Sequence, residues 1–456
     1  MSSPITLSAI EKRAISSLAS LYALRMLGLF MVLPVMALAG EGLEGATPEL
    51  LGLAIGAYGL SQALLQIPAG ALSDYIGRKP VIVAGLLIFA LGSFVAANAE
   101  TIYGVIFGRI LQGGGAIASA VMALVTDLTR EEHRMKAMAS IGASIGLSFS
   151  VALVLGPVLV DLGGLSLIFW VTGVLALAGI IVLLVAVPTP ERKKHRDGSA
   201  VAAEVLKQLV NGRLWPLNIG IFILHALMVA MFVAIPMQLV DAGLALSDHA
   251  WLYLPVLVAA FILMVPFVII AEKKRQMKSI VLVALAIMVL ALLLMSQAEQ
   301  LWSWALALGI FFWAFNIMEA SLPSWLSKIA PAGAKGSAMG IYSSMQFSGA
   351  FAGGALGGFA MQQYGVEGLF VGLALIVVVW AILVVITPKP AHLNSVRIDL
   401  TDASNQHNQG YLDVLLAMAG VSDAVYIAEE QAIYLKVDAT VFDYQQAMAQ
   451  IQTVGD

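Results

Sequence analysis

Long apolar runs separated by short polar breaks recur along most of the chain. Each run is long enough to cross a hydrocarbon core of about 30 Å, which takes roughly 20 helical residues. The pattern predicts twelve membrane-spanning helices, called spans 1 to 12: 17–39, 47–72, 80–98, 103–127, 136–160, 165–187, 215–240, 248–271, 279–297, 301–327, 336–361 and 366–387. Because lipid satisfies no backbone hydrogen bonds, this region is predicted to be an all-α membrane domain.

Composition agrees with a membrane protein. Of the 456 residues, 60% are apolar and only 11% are charged, against about a quarter charged in soluble domains. The chain has no cysteine, which excludes disulfides and thiolate metal sites. The N-terminal residues lack a short apolar core followed by a cleavage site, so no cleaved signal peptide is expected.

Charge differs between the two sets of loops. Loops on one side carry all the basic residues between spans, whereas the short loops on the other side carry only acids, among them Glu41, Glu100, Asp161, Asp241 and Glu367. Basic loops stay in the cytoplasm, so both termini are predicted to be cytoplasmic. We call the two sides the basic side and the acid-only side.

The chain is predicted to divide into four parts. A polar, basic stretch at 191–213 reads as a cytoplasmic linker between six-helix halves at 1–190 and 214–390, followed by a soluble domain at 391–456. Two parallel six-helix halves are a common plan of secondary transporters, with the substrate site between them.

The two halves show weak internal similarity. At an offset of 201, Gly156-Pro157 aligns with Gly357-Gly358, and at an offset of 198 Asp74 aligns with Glu272. Chance similarity among apolar helices is the competing explanation. Two nearly equal offsets in equivalent loops favour duplication.

The end of the chain has a different pattern. Residues 393–456 alternate as βαββα and resemble the ferredoxin-like fold of heavy-metal-associated domains, without a Cys-x-x-Cys loop. They carry nine acids against Arg397 and Lys436. The domain is therefore expected to dock on basic loops, to bind an ion or a small regulator, or to act only as a passive stability module.

The loop between spans 2 and 3, GALSDYIGRKP, carries the most specific motif. It resembles the cytoplasmic signature of the major facilitator superfamily, in which Tyr75 replaces a usual basic residue. The matching positions are Gly70, Asp74, Gly77, Arg78 and Lys79. Physically, Gly77 permits a tight turn and Pro80 suits the first turn of the next helix.

The resemblance implies partners for this loop. Asp74 would face the N-terminus of span 11, whose dipole favours an anion, and Arg78 would pair with an acid that ends span 4. Asp127 fits that acid. The result would be a latch that stabilises the outward-open state, and the alternative is a tight basic loop that only sets orientation.

Spans 4 and 5 carry further motifs of the same family. FGRILQGGGAIASA resembles the span 4 signature, with Arg109 and Gln112 in register. An arginine at this depth favours a proton-coupling or substrate role over a structural ion pair. Gly156 and Pro157 resemble the end of the antiporter signature, so export is favoured. Ala143 and Ala152 stand where that signature has glycine. Gly156 and Pro157 would bend span 5 toward the other half, or form a simple packing kink.

Two titratable residues lie inside predicted spans of the second half. Glu319 is the only carboxylate well inside any span and is the first candidate for a proton carrier. His225 is a second candidate, although a histidine satisfied by a neighbouring polar group is the more ordinary role.

Substrate contacts are harder to predict. Arg25 lies inside span 1, where snorkelling toward the cytoplasm is the alternative. The candidate cavity residues are Arg25, Gln62, Gln66, Gln112, Met231, Gln238, Trp313, Asn316 and Gln346.

The combination resembles the drug/proton antiporter group of the superfamily. The resemblance implies a bacterial inner-membrane exporter of a small amphipathic or drug-like compound, monomeric, with protons, substrate and lipid bilayer as partners. No enzymatic activity, cofactor, metal or nucleic-acid partner is expected. A proton-coupled nutrient importer and a membrane sensor with a signalling tail are the alternatives.

Overall fold

The computed structural model describes residues 7–189, 207–331, 335–387, 393–399, 408–427, 432–438 and 440–455. Most of the predicted linker therefore lies outside the described residues. The first half contains α1 Ala9–Phe30, α2 Met36–Ala39, α3 Pro48–Ile76, α4 Arg78–Ala97, α5 Ile102–Gly114, α6 Ala118–Leu128 and α7 Glu131–Val185. The second half contains α8 Trp215–Asp241, α9 His249–Lys273, α10 Met277–Ser296, α11 Leu301–Ile329 and α12 Lys335–Ile386.

Within the described residues, nine helical stretches are long and apolar enough to cross a membrane. Two of them, Lys136–Val185 and Gly336–Ile386, are 50 and 51 residues long. A continuous helix of that length would measure about 75 Å, more than twice the hydrocarbon thickness. Each is interrupted by a glycine with positive φ, Gly164 at 68° and Gly365 at 66°.

The predicted span 4 is also interrupted. It forms α5 and α6, with residues 115–117 between them outside any helix. A Cβ at Gly113 would overlap the backbone of Tyr58, and one at Gly115 would overlap the backbone of Gly85. The consecutive glycines therefore let three helices approach closely where the backbone turns.

The two halves meet along α3 and α12. A Cβ at Gly56 would come within 2.7 Å of the carbonyl oxygen of Phe351, and one at Gly358 within 2.7 Å of that of Pro48. These contacts run from mid-helix toward the end that carries the acid-only loops. Small residues allow this approach because no side chain separates the helices.

Two lysines occupy equivalent positions in the halves. Lys79 donates through Nζ to the carbonyl oxygen of Val187 at 2.7 Å, and Lys278 donates to that of Val385 at 2.8 Å. Each lysine lies in the first turn of one helix and ties down the end of the last helix in its half. The matching contacts, 198 or 199 residues apart, support the predicted duplication.

The soluble domain has the predicted βαββα order. Its elements are β1 Asn394–Asp399, α13 Asn408–Leu416, β2 Val421–Ile427, β3 Ala432–Val437 and α14 Tyr444–Gly455. The strands form an antiparallel sheet in the order β1-β3-β2. The final helix begins at Tyr444 because Asp443 caps it, accepting from the Gln445 N–H at 2.8 Å.

Candidate transport site and basic-side latch

Arg25 of α1 is buried inside the first half, with 1% of its surface exposed. Its Nη2 donates to Gln62 Oε1 at 2.8 Å, to the Gly115 carbonyl at 3.0 Å and to the Tyr58 hydroxyl at 3.2 Å. Gln62 in turn donates to Gln66 Oε1 at 2.8 Å. The predicted alternative, snorkelling to the cytoplasm, is therefore wrong, because the guanidinium is held by polar groups of α3 and of the break after α5.

Arg109 of α5 is equally buried. It donates to the carbonyls of Ala54 and Ile55 at 3.2 and 3.1 Å and to Gln112 Oε1 at 2.8 Å. Gln112 continues the network by donating to Ser93 Oγ at 2.8 Å. Within the described residues Arg109 makes no ion pair, so the contacts that hold it are carbonyl and amide oxygens.

Tyr58 joins the two arginine networks and was not predicted. Its ring centroid lies 6.0 Å from Cζ of Arg25 and 5.5 Å from Cζ of Arg109, within cation–π range. The ring also meets Phe347 of the second half edge to face, at 5.9 Å between centroids. The sequence does place Tyr58 four residues before Gln62 and eight before Gln66. Residues at this spacing share a helix face, which could have indicated that Tyr58 belongs to the same polar network.

Glu319 lies on α11 in the second half, opposite these arginines in the fold. Its Oε2 is 3.9 Å from Nε2 of His225 on α8. That oxygen is buried and has no hydrogen-bond partner among the described residues, although 42% of the side chain is exposed. The Glu319 side chain is thus partly exposed, while its Oε2 is buried without a hydrogen-bond partner.

His225 has two neighbours besides Glu319. Its Nδ1 lies 3.3 Å from the Ile221 carbonyl oxygen, which can only accept, so Nδ1 carries a proton. Its Nε2 lies 2.7 Å from the side-chain nitrogen of Gln346 on α12. This Nε2 therefore accepts from the amide, and the structure brings together three of the predicted residues in one cluster.

Other predicted cavity residues lie apart from this cluster. Asn316 is half-buried one turn before Glu319. Trp313 donates from Nε1 to the Leu263 carbonyl at 3.1 Å, and Met231 is fully buried in the hydrophobic core. Gln238 lies in the last turn of α8, donating to Asp241 at 3.3 Å. The structure does not bring Trp313, Met231 and Gln238 into contact with Glu319.

The basic-side motif forms a compact ion cluster. Arg78 Nη2 is 2.5 Å from Asp74 Oδ1, and its Nε donates to Asp127 Oδ2 at 3.1 Å. Its Nη1 donates to Ser73 Oγ at 2.7 Å. Gly77, with φ of 100°, forms the turn between α3 and α4. Arg78 thus bridges two carboxylates, one of them at the end of α6 as the resemblance implied.

The predicted approach of Asp74 to span 11 stays a prediction. The start of α12 follows residues 332–334, which lie outside the described residues. Gly70 packs on Ser119 of its own half, whose Oγ would lie 2.9 Å from an added Cβ. Tyr75, which replaces the usual basic residue, is exposed.

Gly156 of α7 packs differently from the expectation. A Cβ there would come within 2.6 Å of the Met31 carbonyl oxygen in α1's C-cap, and 3.1 Å from Pro34. The helix that carries this glycine does contact α9 of the second half, but Gly156 itself lies against its own half. Its nearest neighbours belong to span 1 of the same half, because the chain between α1 and α2 leaves room only for a residue without a side chain.

A second basic-side cluster was missed by the sequence reading. Glu11 accepts from Arg130 Nη2 at 2.9 Å and lies 3.0 Å from His133 Nδ1. The hydrogen bond from Arg130 holds the pKa of Glu11 far below its usual range, against the opposing effect of burial. The cluster ties the start of α1 to the start of α7.

Comparison with known proteins places this arrangement in a family. The model of the Major Facilitator Superfamily matches residues 18–354. The chain is 44% identical to the inner membrane transport protein YajR of Escherichia coli over 445 residues, 96% of this chain and 98% of the relative. It is 25% identical to the multidrug resistance protein MdtH of Aeromonas salmonicida over 340 residues, 74% of this chain and 85% of the relative.

A solved structure agrees with the fold. The nucleoside transporter NupG is similar with a TM-score of 0.62 at 16% identity, over 82% of this chain and all of that one. The fold and its polar interior are those of a multi-span transporter. The chain belongs to the major facilitator superfamily, and the relatives named here are transporters.

Proposed function

We propose that this protein is a proton-driven inner-membrane exporter of a small amphipathic or drug-like compound, working by alternating access between its two halves. Glu319 is the proton carrier. The observation that carries the proposal is its carboxyl group, which has one buried oxygen without a partner and lies 3.9 Å from His225.

Charge at this position changes which state is preferred. An ionised Glu319 lacks the hydrogen bonds that a buried carboxylate needs, whereas the neutral acid has no charge to desolvate at the same position. Protonation therefore changes the free-energy difference between the open states, which is how a gradient drives a cycle. The multidrug resistance relative supports a drug-like substrate.

The fold supports twelve passes. Each of the two stretches of about 50 residues supplies two, with the glycine breaks as the turns between them. Together with α1 and the seven other stretches this gives twelve, and the basic side is cytoplasmic. The close contact of α3 and α12 toward the acid-only side supports an inward-facing conformation.

The experiment is transport by everted membrane vesicles. A growth screen of a pump-deficient bacterium expressing the chain would first identify candidate compounds. Vesicles carrying the protein should accumulate such a compound only while their interior is acidic. Glu319→Gln should reduce the initial rate by at least about a hundredfold, since removing a coupling group abolishes the driven step.

Matched variants separate the alternatives. Glu299→Gln changes a carboxylate on the acid-only side, at the edge of α11, and should leave the rate unchanged. Accumulation that needs no gradient, or that survives in Glu319→Gln, contradicts the coupling. Efflux from the same vesicles driven by the gradient would indicate an importer, and transport by a chain lacking 393–456 would exclude an obligatory sensor.

A further inference from the structure

The soluble domain contacts the second half at two points near the C-terminal end of β3, the central strand of its sheet. Lys436 in β3 donates through Nζ to the carbonyl oxygen of Ser327 at 2.8 Å. Asp438, just after β3, has its Oδ1 3.6 Å from Nη2 of Arg275. Both membrane-side residues lie on the basic side, at the end of α11 and in the turn between α9 and α10.

The carbonyl of Ser327 needs an outside donor. A helical carbonyl accepts from the N–H four residues later, and here that residue is Pro331, which has none. Lys436, with 3% of its surface exposed, supplies the missing donor. Its positive charge is also favourable at a helix C-terminus, where the backbone dipoles leave partial negative charge.

Arg275 has an unusual backbone. Its φ is 56°, and it is the one non-glycine residue with positive φ among the described residues. The internal repeat, at its offset of 198, aligns Arg275 with Gly77, which forms the equivalent turn in the first half. The second half therefore has a side chain where glycine would fit without strain, and that side chain reaches the soluble domain.

The two contacts flank an ion pair between the same helices. Lys328 Nζ lies 2.6 Å from Glu272 Oε2, and Ser324 also bonds to Glu272. At the repeat offsets, Glu272 aligns with Asp74 and Lys328 with Asp127. The domain thus binds on the second half's counterpart of the latch.

We propose that the soluble domain is a conformational clamp, which through Lys436 and Asp438 stabilises the inward-facing state and must release before the latch can close. The reason is that the domain binds close to the start of α12. Ser327 lies eight residues before Lys335, which begins α12, and that helix start is the expected partner of Asp74. Holding the end of α11 therefore restrains the segment that the latch has to reach. This inference rests on the alternating-access function proposed above.

Docking can be measured without a substrate, because the chain has no cysteine of its own. Spin labels at Lys207→Cys, an exposed site in the linker eight residues before α8, and at the exposed Asp413→Cys report the distance between the start of the second half and the domain by double electron–electron resonance. Lys436→Gln should lower the ratio of docked to undocked populations by about tenfold, as expected for a lost charged hydrogen bond. Arg275→Gly should lower it in the same direction.

Arg275→Gly keeps the result interpretable, because it leaves the soluble domain unchanged and removes backbone strain. Loss of docking in this variant cannot come from an unfolded domain. Arg397→Gln is the comparison variant, since it removes the domain's other basic residue and leaves Lys436 and Asp438 in place. Unchanged distances in both Lys436→Gln and Arg275→Gly would overturn the proposed docking.

A second label pair tests the clamp itself. Labels at Lys136→Cys in the first half and at Lys207→Cys, eight residues before α8 of the second half, report closure between the halves on the basic side. Release should raise the short-distance population by about threefold in Lys436→Gln, because the inward-facing state loses a stabilising contact. Loss of docking with an unchanged distance between halves would show a passive tail. Neither measurement needs transport, so failure of the export hypothesis would be seen separately, in the vesicles.

Discussion

The two halves build the same basic-side turn with different arrangements of charge. In the first half an arginine, Arg78, lies between two carboxylates, with 9% of its side chain exposed. In the second half Glu272 and Lys328 form the pair, with exposures of 40% and 16%. Asp74 aligns with another acid, Glu272, whereas the acid Asp127 aligns with the base Lys328. The more exposed copy is the one beside which the soluble domain docks.

The halves also differ in their interiors. The first half buries Arg25 and Arg109 among carbonyl, amide and phenol oxygens. The second half holds Glu319 beside His225. Tyr58 and Phe347 are in contact between the two sites. The comparison indicates that buried positive charge and the titratable acid are kept on opposite sides of the moving interface.

The largest effect is expected from removing a buried positive charge of the first half. Arg109→Gln removes donors from two backbone carbonyls and one amide, and should reduce gradient-driven uptake by at least about a hundredfold. If the arginine and Glu319 act in one cycle, the double variant with Glu319→Gln should be no slower than either single variant. Vesicle uptake checks both statements, with the exposed Lys12→Gln as control. Additive losses would mean that the two sites act independently.

A smaller effect compares the two ion clusters. Arg78→Ala leaves two partly buried carboxylates without their cation and should destabilise the protein by about 3 kcal/mol. Lys328→Ala breaks a more solvent-screened pair and should cost about 1 kcal/mol or less. Thermal unfolding in detergent measures both.

Charge exchange sharpens the same comparison. The double variant Glu272→Lys with Lys328→Glu should recover most of the stability lost in Lys328→Ala, because the pair has two main members. The double variant Arg78→Asp with Asp127→Arg should not recover the stability lost in Arg78→Ala, since Asp74 would then face another acid. Equal losses for the two alanine variants would show that exposure does not distinguish the clusters.

The smallest expected effect concerns pH and the first half. The folded pKa of Glu11 is lowered, so its contribution to stability is present above its unfolded value of about 4.3 and is lost as pH falls below it. Glu11→Gln should lower the Tm by about 2–4 °C at pH 7. The difference from the parent protein should shrink between pH 5 and pH 3, and a constant difference would contradict the assignment.

The sequence predicted local features well where a pattern has a single physical meaning. Apolar length predicted long membrane-crossing helices, and the family resemblance of GALSDYIGRKP implied that Arg78 pairs with Asp127. It predicted less where a contact depends on packing. Gly156 faces span 1 of its own half, and Glu11, 59 residues before the GALSDYIGRKP motif, joins Arg130 and His133 only through the fold.

By itself, the sequence determined that this protein lies in a membrane, which of its loops are basic and which titratable groups lie inside spans, because hydropathy and charge act locally. Only the tertiary structure decided that Tyr58 links two buried arginines and that Gln346 and Glu319 both lie beside His225. It also decided that Lys436 donates to the Ser327 carbonyl, for which Pro331 has no N–H. Those contacts join residues far apart in the chain, and their partners depend on helix rotation and on the approach of the two halves. No local pattern specifies either.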